Sequence, residues 1–107
     1  MDQVVRPPIQ PHESLWLTIN FDAKDALLAG DALVSLASFV CKRDSDGADV
    51  TILLVEAGSP SVFGNKVTFL KKEGGGTDGE NYKYTAIVRT KLGETLEEDL
   101  IMPIRET

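Results

Sequence analysis

The stretch from Gly79 to Ile104 constrains the fold of this chain more than any other. Tyr82, Tyr84, Ala86 and Val88 alternate with Lys83, Thr85, Ile87 and Arg89. Strict alternation of this kind places one face of an extended strand in a core and the other towards water. Lys91-Leu92-Gly93 then reads as a tight turn with Gly93 as its turn residue, and a return strand follows. On that strand Leu96, Leu100, Met102 and Ile104 share a face with Glu98, opposite Glu97, Asp99, Ile101 and Pro103. Pro103 has no N–H for a ladder, so the last strand lies on an edge or ends there. The run Glu97-Glu98-Asp99 fits a strand protected against pairing with other chains.

Shorter segments of the same kind precede this hairpin. In Ser14 to Phe21, Leu15, Leu17, Ile19 and Phe21 fall on one face, with Trp16, Thr18 and Asn20 on the other. Leu33 to Lys42 is a second strand with apolar residues on both faces, so a bulge that exchanges its faces is expected. Val50 to Glu56 reads as a third strand, Val62-Phe63 as a short piece, and Lys66 to Lys72 as a strand with Val67 and Phe69 pointing one way. Turn clusters separate them at Arg43–Asp49, Gly58–Ser61, Gly64-Asn65 and Gly74–Gly79. Asp22 to Asp31 suggests a short helical turn capped by Asp22 or Asp25 and closed by Gly30. No repeat of fixed length and no heptad is visible. Short strands between recurrent turn signals predict an all-β sandwich or barrel.

Residues 1–13 carry Pro7, Pro8, Pro11 and the single histidine, His12. Proline fixes φ and removes a donor, so this segment is expected as an extended proline-rich arm. It is read as separate from one domain over residues 14–107. Deleting it is expected to leave the fold intact and to weaken assembly.

Composition narrows the function. A chain of 107 residues suits one domain, and no apolar run reaches the ~20 residues of a membrane span. The start of the chain lacks the basic and apolar regions of a secretory signal, which implies cytoplasmic synthesis. One cysteine, Cys41, leaves no internal disulfide and no multi-thiolate zinc site. The net charge of −6 comes without a basic stripe, so neither nucleic acid nor an anionic membrane is an expected partner.

Few residues could carry chemistry. His12 lies among prolines where nothing holds it against a nucleophile, and mid-strand Cys41 reads as a small buried apolar residue. No catalytic residue or cofactor is expected. Asp44, Asp46 and Asp49 offer closely spaced oxygens to a hard cation, but without the terminal bidentate glutamate of a calcium loop they are weak candidates. Gly74-Gly75-Gly76-Thr77 lacks the Gly-Lys-Ser/Thr ending of a phosphate loop. The better functional candidates are contact residues: Trp16, Ile87 and Ile101 as exposed apolar side chains, with Pro7 and Pro8 on the arm.

The sequence also resembles a group of short phage and prophage structural proteins that are head-tail or tail-associated. The similar stretches are Asp31 to Ser35, Gly58 to Val67, Gly74 to Tyr82 and Thr90 to Leu100. The resemblance implies an immunoglobulin-like, fibronectin III-like antiparallel sandwich of about seven strands. Tyr82, three residues after Gly79 at a strand start, is similar to the tyrosine corner of such domains. Ala86 and Val88 stand where antibody-type domains carry a cysteine partner, and Trp16 lies on the first strand, so the likeness is to the fibronectin end of the class. It further implies a non-enzymatic virion protein made in the host cytoplasm, self-associating and contacting other virion proteins. The alternative is a carbohydrate- or cell-surface-binding module using Trp16, Tyr84 or the glycine-rich loop, with calcium at Asp44, Asp46 and Asp49.

Overall fold

Residues 3–5, 8–21 and 32–105 are described by the computed structural model, and they form seven strands and one helical turn. In chain order these are β1 (Gln3–Val5), β2 (Leu15–Asn20), β3 (Leu33–Arg43), α1 (Thr51–Leu54), β4 (Ser61–Phe63), β5 (Lys66–Lys71), β6 (Asn81–Thr90) and β7 (Thr95–Pro103). They make two sheets, ordered β1-β7-β6-β3 and β2-β5-β4. Pairing is antiparallel except at β1, which runs parallel to β7 with Val5 opposite Ile101. The protein is therefore an all-β sandwich without a disulfide. The helical turn expected over 22–31, and Pro7 of the arm, lie outside the described residues.

The period-two faces meet between the sheets. Leu17, Ile19, Phe21, Val67 and Phe69 come from one layer, and Tyr82, Tyr84, Ala86, Val88, Leu100 and Met102 from the other. Phe69 is the centre of an aromatic cluster, with ring centroids 4.5 Å from Tyr84 and 4.7 Å from Phe39. Such tilted pairs stabilise a core beyond the area they bury, by about 0.5–1.5 kcal/mol each. In β3 the register slips between Leu33 and Ser35 and again between Leu36 and Ser38. These irregularities let a strand with two half-apolar faces deliver Leu33, Phe39 and Cys41 to the core side.

Val50 to Glu56 is not a strand. Asp49 Oδ1 accepts hydrogen bonds from the Thr51 N–H (3.0 Å) and the Thr51 hydroxyl (2.7 Å), while Thr51 Oγ1 accepts the Cys41 N–H (2.9 Å). These contacts bend the chain as it leaves β3, and the single turn α1 follows. Its outcome is a helical burial pattern: Val50, Leu54 and Val55 enter the core, and Ile52 and Leu53 face outwards. An alternating strand would have put Ile52 and Leu54 on one side.

The proline-rich segment lies against its own domain. Ile9 is buried in the core, its N–H donates to Pro103 C=O (3.2 Å), and its C=O accepts the Arg105 N–H (2.9 Å). Lys71, 0% exposed at the end of β5, donates from Nζ to the carbonyls of Pro11 (2.7 Å) and Glu13 (2.8 Å). Residues 8–13 therefore strap the three-stranded sheet to the far end of the four-stranded one. Prolines suit this path because it asks for few ladder donors. The segment expected as a separate arm thus contributes one isoleucine, Ile9, to the core.

Candidate functional site

α1 borders an apolar concavity on the surface. Its inner side is fixed: the Leu54 C=O accepts the Lys72 N–H (3.1 Å) and the Tyr84 hydroxyl (3.3 Å). The chain then turns at Glu56–Pro60, held by Ser59 Oγ, which donates to the Glu56 C=O (2.7 Å) and accepts the Leu70 N–H (3.0 Å). Between this turn, α1 and the edge strand β3 lies a groove of about 260 Å³, with Phe39, Val55 and Pro60 among its lining residues and Thr51, Glu56 and Lys72 as its polar members. Ile52, at 82% exposure, stands on its rim, and Leu53 is exposed beside it. Phe63 is 75% exposed on β4, the edge strand that lies against β3. The helical turn thus presents Ile52 at the groove and Leu53 next to it, while Phe63 lies at the other end of β5, in the outward row of Lys66 and Asn20. A monomer gains nothing by exposing them, whereas a contact surface does.

The polar groups of this flank are engaged in holding the backbone. Lys72 Nζ reaches the Ile52 C=O at 3.5 Å, and Thr51 is committed to Asp49 and Cys41. Cys41 is buried under α1, and its thiol is pushed up to about 12, by burial first and then by the negative charge of Asp49. A thiol so placed is a packing atom, not a nucleophile. The groove can seat an apolar side chain.

The other residues singled out by sequence fall in different places. Trp16 is 62% exposed on the outer face of β2, opposite Leu70 across the ladder. Ile87 is half-buried on the outer face of β6. Ile101 was expected to be exposed, but it is only 9% exposed, since β1 lies along β7 at this position. Pro8 is exposed on the strap. The structure does not gather these residues into one patch.

Asp46 and Asp49 are occupied in building the turn. Asp46 accepts the Ala48 N–H (3.0 Å) and a bond from Arg43 (2.9 Å), and the first of these leads in holding its carboxyl below the usual range. The Thr51 hydroxyl does the same for Asp49. Asp44 carries the turn on through its N–H, which donates to Asn81 C=O (2.9 Å). Among the described residues no group of three or more His, Cys, Asp or Glu is arranged to hold a metal ion, and no helix is long and apolar enough to cross a membrane.

Beside this turn the Tyr82 ring is buried and its hydroxyl accepts the Thr77 N–H (2.8 Å). Gly79 donates its N–H to the Ile104 C=O (2.9 Å), and Gly93 donates to the Thr90 C=O (3.0 Å) within the β6–β7 turn. Sequence reasoning did not single out Ile52, Leu53, Phe63 or Lys71. The signal for Lys71 was available, since Val67, Phe69 and Lys71 share one face by alternation and a lysine on a core face needs partners.

Fold and site together define a disulfide-free, all-β sandwich whose main surface feature is an apolar flank. Residues 10–103 match the family described as Gp77, podophage GP4 fiber-tail adaptor protein gp77, and the chain belongs to that family. It is a phage tail-associated structural protein and a component of the virion. No curated protein and no solved structure matches the chain at a significant level. The matched span takes in β2 to β7 and α1.

Proposed function

We propose that this chain is a non-enzymatic adaptor that joins other virion proteins at the phage tail through the flank formed by α1, the β3 edge and the Glu56–Pro60 turn. The observation that carries this reading is the exposure of Ile52 on the rim of an apolar groove, with Leu53 exposed next to it on α1, in a chain of the fiber-tail adaptor family. Burying one such side chain fully is worth about 1.5–3 kcal/mol. A cluster of them makes the centre of an interface, while Lys72 and Glu56 supply a polar rim. The fold class is inferred in the same spirit to be immunoglobulin-like. In its support, β2-β5-β4 against β3-β6-β7 follows the B-E-D and C-F-G strand orders of those sandwiches, and a tyrosine at the start of β6 bonds the upstream backbone.

The test is incorporation. Phage particles assembled without this protein would be mixed with purified wild-type chain or with a chain carrying Ile52→Asp and Leu53→Asp. Both positions are solvent-exposed, so the variant should keep the wild-type melting temperature while failing to join the particle. Equal incorporation of the two proteins overturns the assignment of this flank.

A further inference from the structure

The outer edge of β2 is open, and it lies apart from the α1 flank. The Phe21 N–H donates to the Asn65 C=O (2.9 Å), in the register that sets Ile19 opposite Val67 and Leu17 opposite Phe69. Antiparallel bonds alternate along a strand, so Leu15, Leu17 and Ile19 are the residues that bond β5. Trp16 and Thr18 turn their N–H and C=O groups the other way. There these groups meet no hydrogen-bond partner among the described residues, and both residues are exposed.

The other described edges are blunted. β1 and β4 have three residues each, and β3 has two register slips and ends in Lys42-Arg43. β7 carries Glu97 and Glu98 where β1 does not pair with it. β2 has six residues, Leu-Trp-Leu-Thr-Ile-Asn, with no charge, no proline and no slip in register. An edge of this kind is a template for another strand. The layers also leave a place for one. β2 lies against β7 and β4 against β3, while β1 extends the four-stranded sheet one strand past β7. The three-stranded sheet therefore stops one strand short, beside β2. In immunoglobulin-like sandwiches the order A-B-E-D gives that position to the first strand, but here the first strand pairs with β7. A depression of about 80 Å³ follows the edge, with Thr18, Ile19 and Asn20 on one side and Glu98, Asp99 and Leu100 on the other.

We propose that the free edge of β2 accepts an extended segment of another virion protein as a fourth strand, and that this segment carries lysine or arginine and no carboxylate. The backbone groups of Trp16 and Thr18 select an extended chain, which exchanges bonds with them along the edge. Glu98 and Asp99 beside it, in a chain of net charge −6, select the sign of its charge. Trp16, 62% exposed, offers its ring to an outward side chain of the added strand. A second copy of this chain does not fit the same place. Pairing β2 with β2 of a partner would bring the partner's β7 to the position beyond β7 that β1 already holds. A single added strand has no such conflict, because β1 then lies across from it as β7 lies across from β2.

Hydrogen exchange at residue resolution tests this, on the full chain alone and after it has joined phage particles assembled without this protein. In the free chain the Trp16 and Thr18 amides should exchange fast, while those of Leu17 and Ile19 are protected by β5. In the particle, exchange at Trp16 and Thr18 should slow by about a hundredfold or more. Thr18→Pro removes an outward N–H and leaves the β5 ladder in place, so it should join particles about tenfold less well than wild type. Thr18→Ala keeps the N–H and loses only an exposed side chain, so it should join as wild type does. Melting temperatures establish that the variants are folded, and where Thr18→Pro lowers its own, the wild-type exchange pattern decides. Fast exchange of both amides in the particle would overturn the proposal, as would equal joining by Thr18→Pro or a loss shared by Thr18→Ala. Slow exchange already present in the free chain and lost on dilution would overturn it too, by showing that β2 pairs with a second copy. The variant at Ile52 and Leu53 reports on the α1 flank alone, so either surface can fail while the other stands.

Discussion

The Tyr82 hydroxyl accepts the backbone N–H of Thr77 across 2.8 Å, tying the loop after β5 to the first core residue of β6. The ring is packed in the core, so this one side chain fixes both a layer and the loop that leads into it. Tyr82→Phe keeps the ring and removes the acceptor. Leaving a partly buried N–H unpaired costs about 1–3 kcal/mol. Urea unfolding should show a lower midpoint with an unchanged m-value, and a loss below a few tenths of a kcal/mol would mean that water replaces the hydroxyl without penalty.

Lys71 supports a second long-range tie. Its buried ammonium meets two backbone carbonyls and no carboxylate within hydrogen-bond distance among the described residues, and burial pushes its pKa down. Lys71→Met keeps most of the apolar stem and deletes both charge-assisted bonds. The removal of a buried charge offsets part of that loss, so global stability should fall by only about 1–3 kcal/mol. The strap should respond more strongly. Hydrogen exchange at the amides of Ile9 and Arg105 should accelerate before that of β6. Uniform acceleration across the chain would show instead that Lys71 is part of the core and not a latch.

Alkaline pH should expose the environment of Cys41. The folded thiol is held near 12 against an ordinary value of 9.0. Below pH 9 both states keep the proton and the contribution to stability is complete. Above it the unfolded chain ionises first, so stability falls as pH rises towards 12, by up to about 1.4 kcal/mol per pH unit. Lys71 acts with the opposite sign, because its folded pKa is lowered. The informative quantity is therefore the difference between wild type and Cys41→Ala. The variant should lose less stability between pH 9 and 11, and parallel curves would remove the thiol as the cause.

Much of the fold was legible because its strands obey a period of two where one face is buried. β2, β5 and β6 each place alternate residues inward as the sequence dictates. The exceptions have local causes. Val50 to Glu56 is a short apolar run that periodicity alone does not assign to helix or strand, and the Asp49–Thr51 hydrogen bonds decide it. Ile101 is covered because β1, from the far end of the chain, lies along β7, a pairing that no local pattern encodes. The apolar flank was hidden for the same reason. Ile52 and Leu53 look like core residues in a strand, and only the helical turn directs them outwards. Trp16 was read directly, since the alternation of β2 places it on the outward face with Thr18 and Asn20.

The glycine loop supplies the last prediction. Gly76 has φ +100°, and a Cβ there would sit 2.8 Å from Ile104 Cγ1, with the Tyr82 ring behind it. Gly79 has φ +89°, but nothing lies within 4 Å of its would-be Cβ. Backbone strain from positive φ is thus common to both positions, at about 1–3 kcal/mol. The steric term belongs to Gly76 alone. Ile104 is fully buried and is bridged to Ile9 of the strap, so it has little room to retreat from an added methyl. Gly76→Ala should therefore cost about 1–3 kcal/mol more than Gly79→Ala, in the range of small overpacking changes, and should also speed exchange at Ile9. Equal losses for the two variants would show that Ile104 adjusts freely, and the strap would then not be sterically coupled to the loop.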